Sequence, residues 1–176
     1  RGSLFGGESS CARPRGADWF SRMDLMLPLV REYLTPTEPG VPGTAVAVEY
    51  YNASLDHYFV TSFDFEITVL DNGTMPGWER TGLRFLVWSQ PVAGANPVCR
   101  YYIRPEVGNS HFYSGSPAEC AEVAIRFGDT WVLESPNVFY VALPNPGNSA
   151  CPVGTDPVWR FYGPSRLNHR YTADRQ

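Results

Sequence analysis

Tyr101-Tyr102-Ile103-Arg104, followed by a turn and by His111-Phe112-Tyr113-Ser114, is the stretch around which the rest of the chain is organised. The residues up to Tyr102 alternate in the manner of a half-buried strand, and the run from His111 returns as a second strand. The residues between the two runs are turn formers. Ser116 then has the context of a helix N-cap, because a proline and a glutamate follow it where helix starts favour them. The stretch therefore predicts a strand pair followed by a short helix.

The same pattern occurs three times, and each occurrence contains one of the chain's three histidines. We name the copies one, two and three after His57, His111 and His169, which stand 54 and 58 residues apart. A period near this length indicates a structural unit that is used repeatedly. We therefore expect the three histidines to occupy equivalent positions in three similar units.

The composition fits a turn-rich β protein, with 16 glycines, 16 prolines and 14% aromatic residues. The net charge is -4 and no basic stripe is present, so we expect no nucleic-acid partner. The apolar stretches are too short to span a bilayer, so we expect no membrane contact. We predict a mainly β fold with short helices, in which residues 44–176 form a pseudo-threefold repeat domain with an incomplete third repeat. A Pro/Gly linker, residues 36–43, precedes it.

Residues 1–35 do not share the repeat. Gly2 to Phe5 predicts a short strand that ends at a glycine pair, and apolar residues from Phe20 to Leu34 recur at the intervals of one helix face. Together with Cys11, this order resembles the C-terminal end of a trypsin-like serine protease domain. The resemblance implies the last strand and the terminal helix of a trypsin-like β-barrel, whose remainder would be the partner of this segment.

The protease resemblance carries further expectations about the ends of the chain. The family's catalytic residues have no match here, since no Gly-Asp-Ser-Gly-Gly occurs, and we expect no catalytic residue in this chain. We expect residues 1–34 to pack against polypeptide that is not in this sequence, and more sequence to follow Gln176, where copy three stops before its helix.

Residues from Thr44 onward resemble a secreted, mostly bacterial repeat family of unknown function. The matching motifs in copies two and three are Arg100-Tyr101-Tyr102 with His111-Phe112-Tyr113-Ser114, Ala118-Glu119, and Arg160-Phe161-Tyr162 with His169-Arg170-Tyr171-Thr172. Copy one departs from the pattern, with Glu49 in place of arginine and Val60 in place of threonine or serine. The resemblance implies a secreted, extracellular location and no catalytic residues, and such domains often follow secreted hydrolases.

Four cysteines allow three pairings. Cys99 lies in the first strand of copy two and Cys120 in its helix, so we predict a disulfide that pins this helix to the sheet. Cys11 and Cys151 stay open. The protease resemblance pairs Cys11 with a cysteine upstream of the chain, Cys151 could pair within a missing end of copy three, or the two could bond to each other.

The candidate binding residues are the three histidines and the aromatic side chains best placed to stack on a ligand. They are His57, His111, His169, Trp78, Trp131, Tyr113 and Tyr171. Three imidazoles could converge on zinc. However, each histidine follows an Asp, Ser or Asn at a turn end, where imidazole bonds locally, so we predict no metal and no cofactor. Most strand aromatics are expected in the core, because a period-2 strand needs one buried face.

These expectations combine into one functional hypothesis and two alternatives. The chain is predicted to be the C-terminal part of a secreted trypsin-like serine endopeptidase whose accessory repeat domain targets glycan or cell-surface material. The alternatives are a purely structural or assembly module without ligand, and a free-standing lectin-like binding protein. Exposed aromatics around a shallow groove would favour binding, and buried aromatic faces would favour the structural role.

Overall fold

Strands dominate the computed structural model, which describes residues 9–12, 43–164 and 167–174. The elements in chain order are β1 (Ser9–Ala12), β2 (Thr44–Asn52), β3 (His57–Thr61), α1 (Asp64–Asp71), β4 (Trp78–Trp88), β5 (Ala95–Pro97), β6 (Cys99–Ile103), β7 (Ser110–Ser114), α2 (Pro117–Phe127), β8 (Trp131–Ser135), β9 (Tyr140–Ala142), β10 (Asp156–Gly163) and β11 (Asn168–Thr172). A 3₁₀ turn, Pro105–Val107, joins β6 to β7. The predicted mainly β fold with short helices is therefore confirmed.

Each copy contains an antiparallel strand pair with the same register. The pairs are β2 with β3, β6 with β7, and β10 with β11. Opposite residues at one end are Val48 and Thr61 in copy one, Cys99 and Ser114 in copy two, and Trp159 and Thr172 in copy three. This shared register defines equivalent positions throughout the three units.

The register corrects the expected placement of the first histidine. His111 lies opposite Tyr102 and His169 lies opposite Tyr162, but His57 lies opposite Asn52. Tyr58 takes the equivalent position in copy one, because the chain there has one more residue between the histidine and the threonine that ends the strand. Side chains alternate between the two faces of a strand, so His57 projects from the opposite face.

A third strand completes each unit, and copy three obtains it from an unexpected place. β4 pairs with β2 and β8 pairs with β6, whereas β1 pairs with β10. The larger sheet has the order β11-β10-β1-β9-β4-β2-β3, with β5 also paired to β9, and the smaller sheet has the order β7-β6-β8. The part of residues 1–35 that the structure describes thus belongs to the sheet of the repeat units.

No remnant of a protease barrel is seen in the described residues, and Cys11 lies in β1. A disulfide joins Cys11 to Cys151, which selects one of the three alternatives for these two cysteines. The predicted strand of residues 2–5 and the predicted helix of residues 20–34 lie outside the described residues.

The central core takes equivalent residues from all three copies. Ala47, Val98 and Val158 are one such set, and Val60, Tyr113 and Tyr171 are another. Each tyrosine of the second set bonds to the preceding copy: the Tyr113 hydroxyl donates to the Val60 carbonyl (2.8 Å), and the Tyr171 hydroxyl accepts from the Tyr113 amide (2.8 Å). Val60 has no hydroxyl, so this linkage does not continue from copy one.

Each helix covers an apolar cluster on its own unit. Val48 and Tyr50 pack with Ile67 and Leu70 of α1, and Cys99, Tyr101, Ile103 and Phe112 pack with Val123 of α2. The predicted Cys99–Cys120 disulfide is present, with Cα atoms 6.3 Å apart. By register it occupies the places of Val48 and Ile67 in copy one, so a covalent bond replaces an apolar pair.

The two helices begin differently. The Ser116 hydroxyl accepts from the Glu119 amide and caps α2, as predicted. The N-cap position of α1 is Phe63, and the Ser62 hydroxyl instead donates to the Val138 carbonyl. The Thr61 hydroxyl accepts from the Phe63 amide and so organises the turn into α1.

Candidate functional site

An ion pair lies at each interface between two copies, and we call these interfaces joints. At the joint of copies one and two, Arg100 donates through both terminal nitrogens to Glu66 (2.8 and 2.5 Å). At the joint of copies two and three, Arg160 donates in the same way to Glu119 (3.0 and 2.9 Å). In both cases the arginine comes from the first strand of the later copy and the glutamate from the helix of the earlier copy. Bidentate pairs of this kind fix geometry as well as charge.

The third joint carries the reverse arrangement. Glu49 occupies the arginine position of copy one and accepts from Arg170 of copy three, with its Oε1 2.8 Å from Nε and its Oε2 3.2 Å from a terminal nitrogen. Thr81 donates a further hydrogen bond to Glu49 (2.7 Å), and the Arg170 guanidinium lies 4.5 Å from the centre of the Tyr58 ring. The departure of copy one from the repeat pattern is therefore compensated by a departure in copy three.

Aromatic rings surround the ion pair at the joint of copies one and two. The Phe59 ring contacts Trp78 at 5.9 Å and His111 at 4.8 Å between centroids, and His111 contacts Tyr102 at 5.4 Å. The Arg100 guanidinium lies 4.9 Å from the centre of the Phe59 ring. These contacts bring two predicted binding residues, Trp78 and His111, to the same joint.

His111 lies beside the charged side chains of Glu134 and Arg100. Its Nε2 lies 3.4 Å from Glu134 Oε2, and Arg100 Nε lies 2.8 Å from the same oxygen, as an ion pair rather than an aligned hydrogen bond. Burial opposes the charge of Glu134, but the hydrogen bond to His111 and the positive Arg100 hold the pKa of Glu134 below its usual value. Burial likewise opposes the charge of Arg100, but the hydrogen bonds to Glu66 and the negative charge of Glu134 raise the pKa of Arg100 above its usual value. The charges of this joint compensate one another, while Arg100 Nε and His111 Nδ1 are buried without a hydrogen-bond partner among the described residues.

A longer set of rings crosses the joint of copies two and three. Phe127 and Trp131 stack at 4.6 Å with planes 18° apart, Trp131 lies 6.3 Å from His169, and His169 lies 4.8 Å from Tyr162. We call the rings of Phe127, Trp131, His169 and Tyr162 the aromatic row. Its ends are open to solvent, with Phe127 40% and Tyr162 39% exposed. Phe112 lies beneath the row, 5.3 Å from Trp131.

His169 is the histidine of the aromatic row. Burial, helped by the positive Arg160, lowers the pKa of His169 from 6.5 to about 4, so the imidazole is neutral at neutral pH. Its Nδ1 is buried and makes no hydrogen bond within the described residues. The row therefore combines aromatic rings with the neutral His169 imidazole, the Trp131 indole N–H and the Tyr162 hydroxyl.

The other predicted candidates lie apart from the row or beneath it. His57 is buried, and Tyr113 and Tyr171 are buried with their hydroxyls bonded to backbone groups. Burial raises the pKa of both tyrosines, so they are poor sources of a titrating group. The structure brings the predicted residues together in two places, Trp78 with His111 at the joint of copies one and two, and Trp131 with His169 in the aromatic row. Tyr171 lies 6.5 Å from His169 on the buried side.

The row also contains two rings that were absent from the sequence-based candidates, Phe127 and Tyr162. Phe127 ends α2, and its stacking on Trp131 follows from a turn of only a few residues between α2 and β8. Tyr162 is one of the strand aromatics, most of which were expected in the core, but it lies opposite His169 and is partly exposed. The short spacing from Phe127 to Trp131 is a signal that could have identified the stacked pair.

Neither a metal centre nor a deep pocket is evident in the part of the chain that the structure describes. Within it, no group of three or more histidine, cysteine, aspartate or glutamate side chains is placed to hold a metal ion. A core cavity of about 30 Å³, lined among others by Phe85, Val98 and Tyr171, has room for little more than a water molecule. No described helix has the length and apolar character needed to cross a bilayer.

The architecture defines a mainly β protein built from repeated three-stranded units. A family model described as a domain of unknown function (DUF5648) matches residues 33–142 and, a second time, residues 109–176. The chain belongs to this family. The two overlapping matches agree with the repetition seen in the strand registers. No curated protein and no solved structure matches the chain.

Proposed function

We propose that this protein is a non-catalytic recognition module that binds glycan on extracellular material through the aromatic row. The observation that carries the proposal is the continuous set of four rings with exposed ends at Phe127 and Tyr162. Flat aromatic faces pack against the apolar faces of sugar rings, and a tyrosine hydroxyl at the edge offers a polar partner to the sugar hydroxyls.

The charges near the row favour a neutral glycan over an acidic one. Arg160, the positive group beside His169, is held by a bidentate pair with Glu119. His169 stays neutral because burial lowers its pKa to about 4. The row therefore offers hydrogen bonds and stacking, with its nearest described cation already committed to a carboxylate.

An extracellular location is part of the proposal. Two disulfides, Cys11–Cys151 and Cys99–Cys120, account for all four cysteines. Bridges of this kind persist in oxidising compartments such as the cell exterior. The proposal does not extend to protease activity, because β1 pairs with β10 and Cys11 bonds to Cys151.

Binding to insoluble neutral polysaccharides tests the proposal, with the bound fraction measured over a range of protein concentrations. Tyr162→Ala and Phe127→Ala each remove one exposed ring and are expected to weaken binding about fivefold, the equivalent of about 1 kcal/mol for one stacking contact. Phe65→Ala is the matched control, because Phe65 is 77% exposed on α1 and is not a member of the row.

Circular dichroism of each variant establishes that the fold is intact before binding is compared. If Phe65→Ala weakens binding as much as Tyr162→Ala does, non-specific hydrophobic adsorption explains the result and the row is not the site. Equal capture by neutral and acidic polysaccharides would contradict the preference argued from Arg160 and His169.

A structural or assembly module is the second candidate, and one observation favours it. Phe112, beneath the row, is buried, and every joint between copies combines an ion pair with ring contacts. Stabilising the packing of the copies against one another is a sufficient explanation for these contacts. The structural role is favoured over glycan binding if the variants at Phe127 and Tyr162 lower the unfolding temperature and leave glycan capture unchanged.

A further inference from the structure

The strand beside β10 comes from a part of the chain outside the three copies. In copies one and two, the third strands β4 and β8 follow the helix of their own copy. β1 precedes copy one in sequence, yet it takes the corresponding place in copy three and runs antiparallel to β10. The place beside β10 therefore accepts a strand that does not belong to its own unit.

β1 connects two parts of the larger sheet. Four of its residues, Ser9 to Ala12, lie opposite residues of β10, and Cys11 also lies opposite Ala142 of β9. The strand order places β10 and β11 on one side of β1 and all other strands of that sheet on the other. Removal of β1 would leave strand edges on β9 and β10 that face a vacant position.

The backbone pairing between β1 and β10 lacks one amide hydrogen, and a disulfide adds a covalent link. Pro157 lies opposite Cys11 and has no amide hydrogen to donate to a neighbouring strand. Cys11 is fully buried, and its bond to Cys151 joins residues 140 positions apart in sequence. A crosslink between residues so far apart in sequence strongly restricts the chain. The bridge should therefore favour the state in which β1 is paired in the sheet.

We propose that the gap between β9 and β10 is a strand-acceptor site for an extended, cysteine-bearing peptide, and that the Cys11–Cys151 bridge controls its occupation by β1. An extended peptide adds to exposed strand edges through main-chain hydrogen bonds. With the bridge closed, β1 occupies the site. With the bridge opened, β1 leaves and the site takes an equivalent strand from another polypeptide.

Opening the bridge is an ordinary thiol–disulfide exchange with a dithiol. One thiolate of the dithiol attacks a sulfur of the bridge, and the second thiol then resolves the mixed disulfide. The dithiol is oxidised to a disulfide, while Cys11 and Cys151 are each reduced to a thiol and take up the two protons released. A peptide thiolate can attack in the same way, leaving the peptide bonded to Cys151 and Cys11 as the free thiol.

A peptide with the sequence of residues 7–13, Gly-Glu-Ser-Ser-Cys-Ala-Arg, tests the site in the full chain. It is supplied as a mixed disulfide with glutathione to the Cys11→Ser variant, whose Cys151 thiol displaces glutathione and bonds to the peptide. The control peptide carries proline in place of both serines, which removes one amide hydrogen on each edge of the strand and keeps the thiol chemistry.

The adduct with Cys151 is followed by mass spectrometry. We expect the native peptide to form it at least tenfold faster than the proline peptide, and the oxidised wild-type protein to form little. Equal rates for the two peptides would show exchange without strand pairing and overturn the proposal. Absence of an adduct in Cys11→Ser would also overturn it, because β1 would then hold its place without the bridge.

Hydrogen exchange provides an independent measurement in the double variant Cys11→Ser/Cys151→Ser. Amides of β10 around Val158 are expected to exchange at least tenfold faster than in the wild type, while those of β2 around Tyr50 keep their rates. Unchanged exchange in β10 would refute control by the bridge, and uniform acceleration in both strands would refute local release of β1. The native peptide should restore slow exchange in β10.

Discussion

The buried pair that joins copy three to copy one allows a sharp test of how the units hold together. Glu49 is 1% exposed and Arg170 is 30% exposed, and two hydrogen bonds connect them. Arg170→Met removes both bonds and leaves a buried carboxylate with Thr81 as its remaining donor among the described residues. Removing one partner of a buried pair costs about 3–5 kcal/mol. Because water partly reaches Arg170, we expect a value near the lower end, about 3 kcal/mol.

A double-mutant cycle separates the pair energy from the other effects of each substitution. Glu49→Gln keeps an acceptor for Thr81 and is expected to cost about 1–2 kcal/mol. The double variant lacks both charges, so it should cost about 2 kcal/mol less than the sum of the two single variants. Urea unfolding at pH 7 without reductant measures these values, and equal slopes of free energy against urea show that the unfolded states are comparable.

Arg126 and Glu122 on α2 form the matched control. Their nitrogen–oxygen distance of 2.9 Å is similar, but their side chains are 67% and 56% exposed. The same two substitutions there should couple by at most about 0.5 kcal/mol, because water screens exposed pairs. If Arg170→Met costs less than about 1 kcal/mol, or if the two cycles give the same coupling, burial is not what makes the joint strong.

Three further predictions follow from other contacts. His169 should make stability fall as pH drops from about 6.5 toward 4, because its pKa is lowered to about 4 in the folded state and the unfolded chain takes up the proton first. The loss is at most about 3 kcal/mol, and urea unfolding as a function of pH should show it flattened in His169→Gln. Tyr113→Phe removes the hydroxyl that bonds the Val60 carbonyl and amide, so it should cost about 1–3 kcal/mol in urea unfolding and speed hydrogen exchange at Val60; unchanged exchange there would contradict the role assigned to the hydroxyl. Removing the Cys99–Cys120 bridge with two serines should cost about 3 kcal/mol by chain entropy, and an unfolding midpoint equal to that of the wild type would refute this estimate.

Local sequence patterns identified much of the repeat. Alternating residues and turn formers predicted the hairpins, and the context of Ser116 predicted the start of α2. The Cys99–Cys120 bridge was also within reach, because both cysteines lie in one short unit. These features depend on residues close together in the chain, where periodicity and capping act directly.

Non-local pairing explains what the sequence left open. β1 finds its partner in β10, far along the chain, and nothing within Ser9 to Ala12 specifies that choice. The shift of His57 depends on a single additional residue, which a comparison of histidine positions alone does not reveal. For the aromatic row, the sequence-based candidates included Trp131 and His169 but neither Phe127 nor Tyr162. That Trp131 lies beside His169 could not be predicted, because this contact exists only after two copies are placed side by side.

The reversed charges of Glu49 and Arg170 have a consequence for how many units can assemble. If all joints were alike, a fourth unit could follow the third, or units of different molecules could join head to tail into an open filament. At the joint of copies three and one, the first strand of copy one supplies the negative Glu49 and copy three supplies the positive Arg170. At the other two joints the first strand supplies an arginine, and the preceding copy supplies a glutamate. A further unit built like copy two would present an arginine toward Arg170, and the two like charges would repel. The charge reversal thus favours closure after three units and disfavours continued growth.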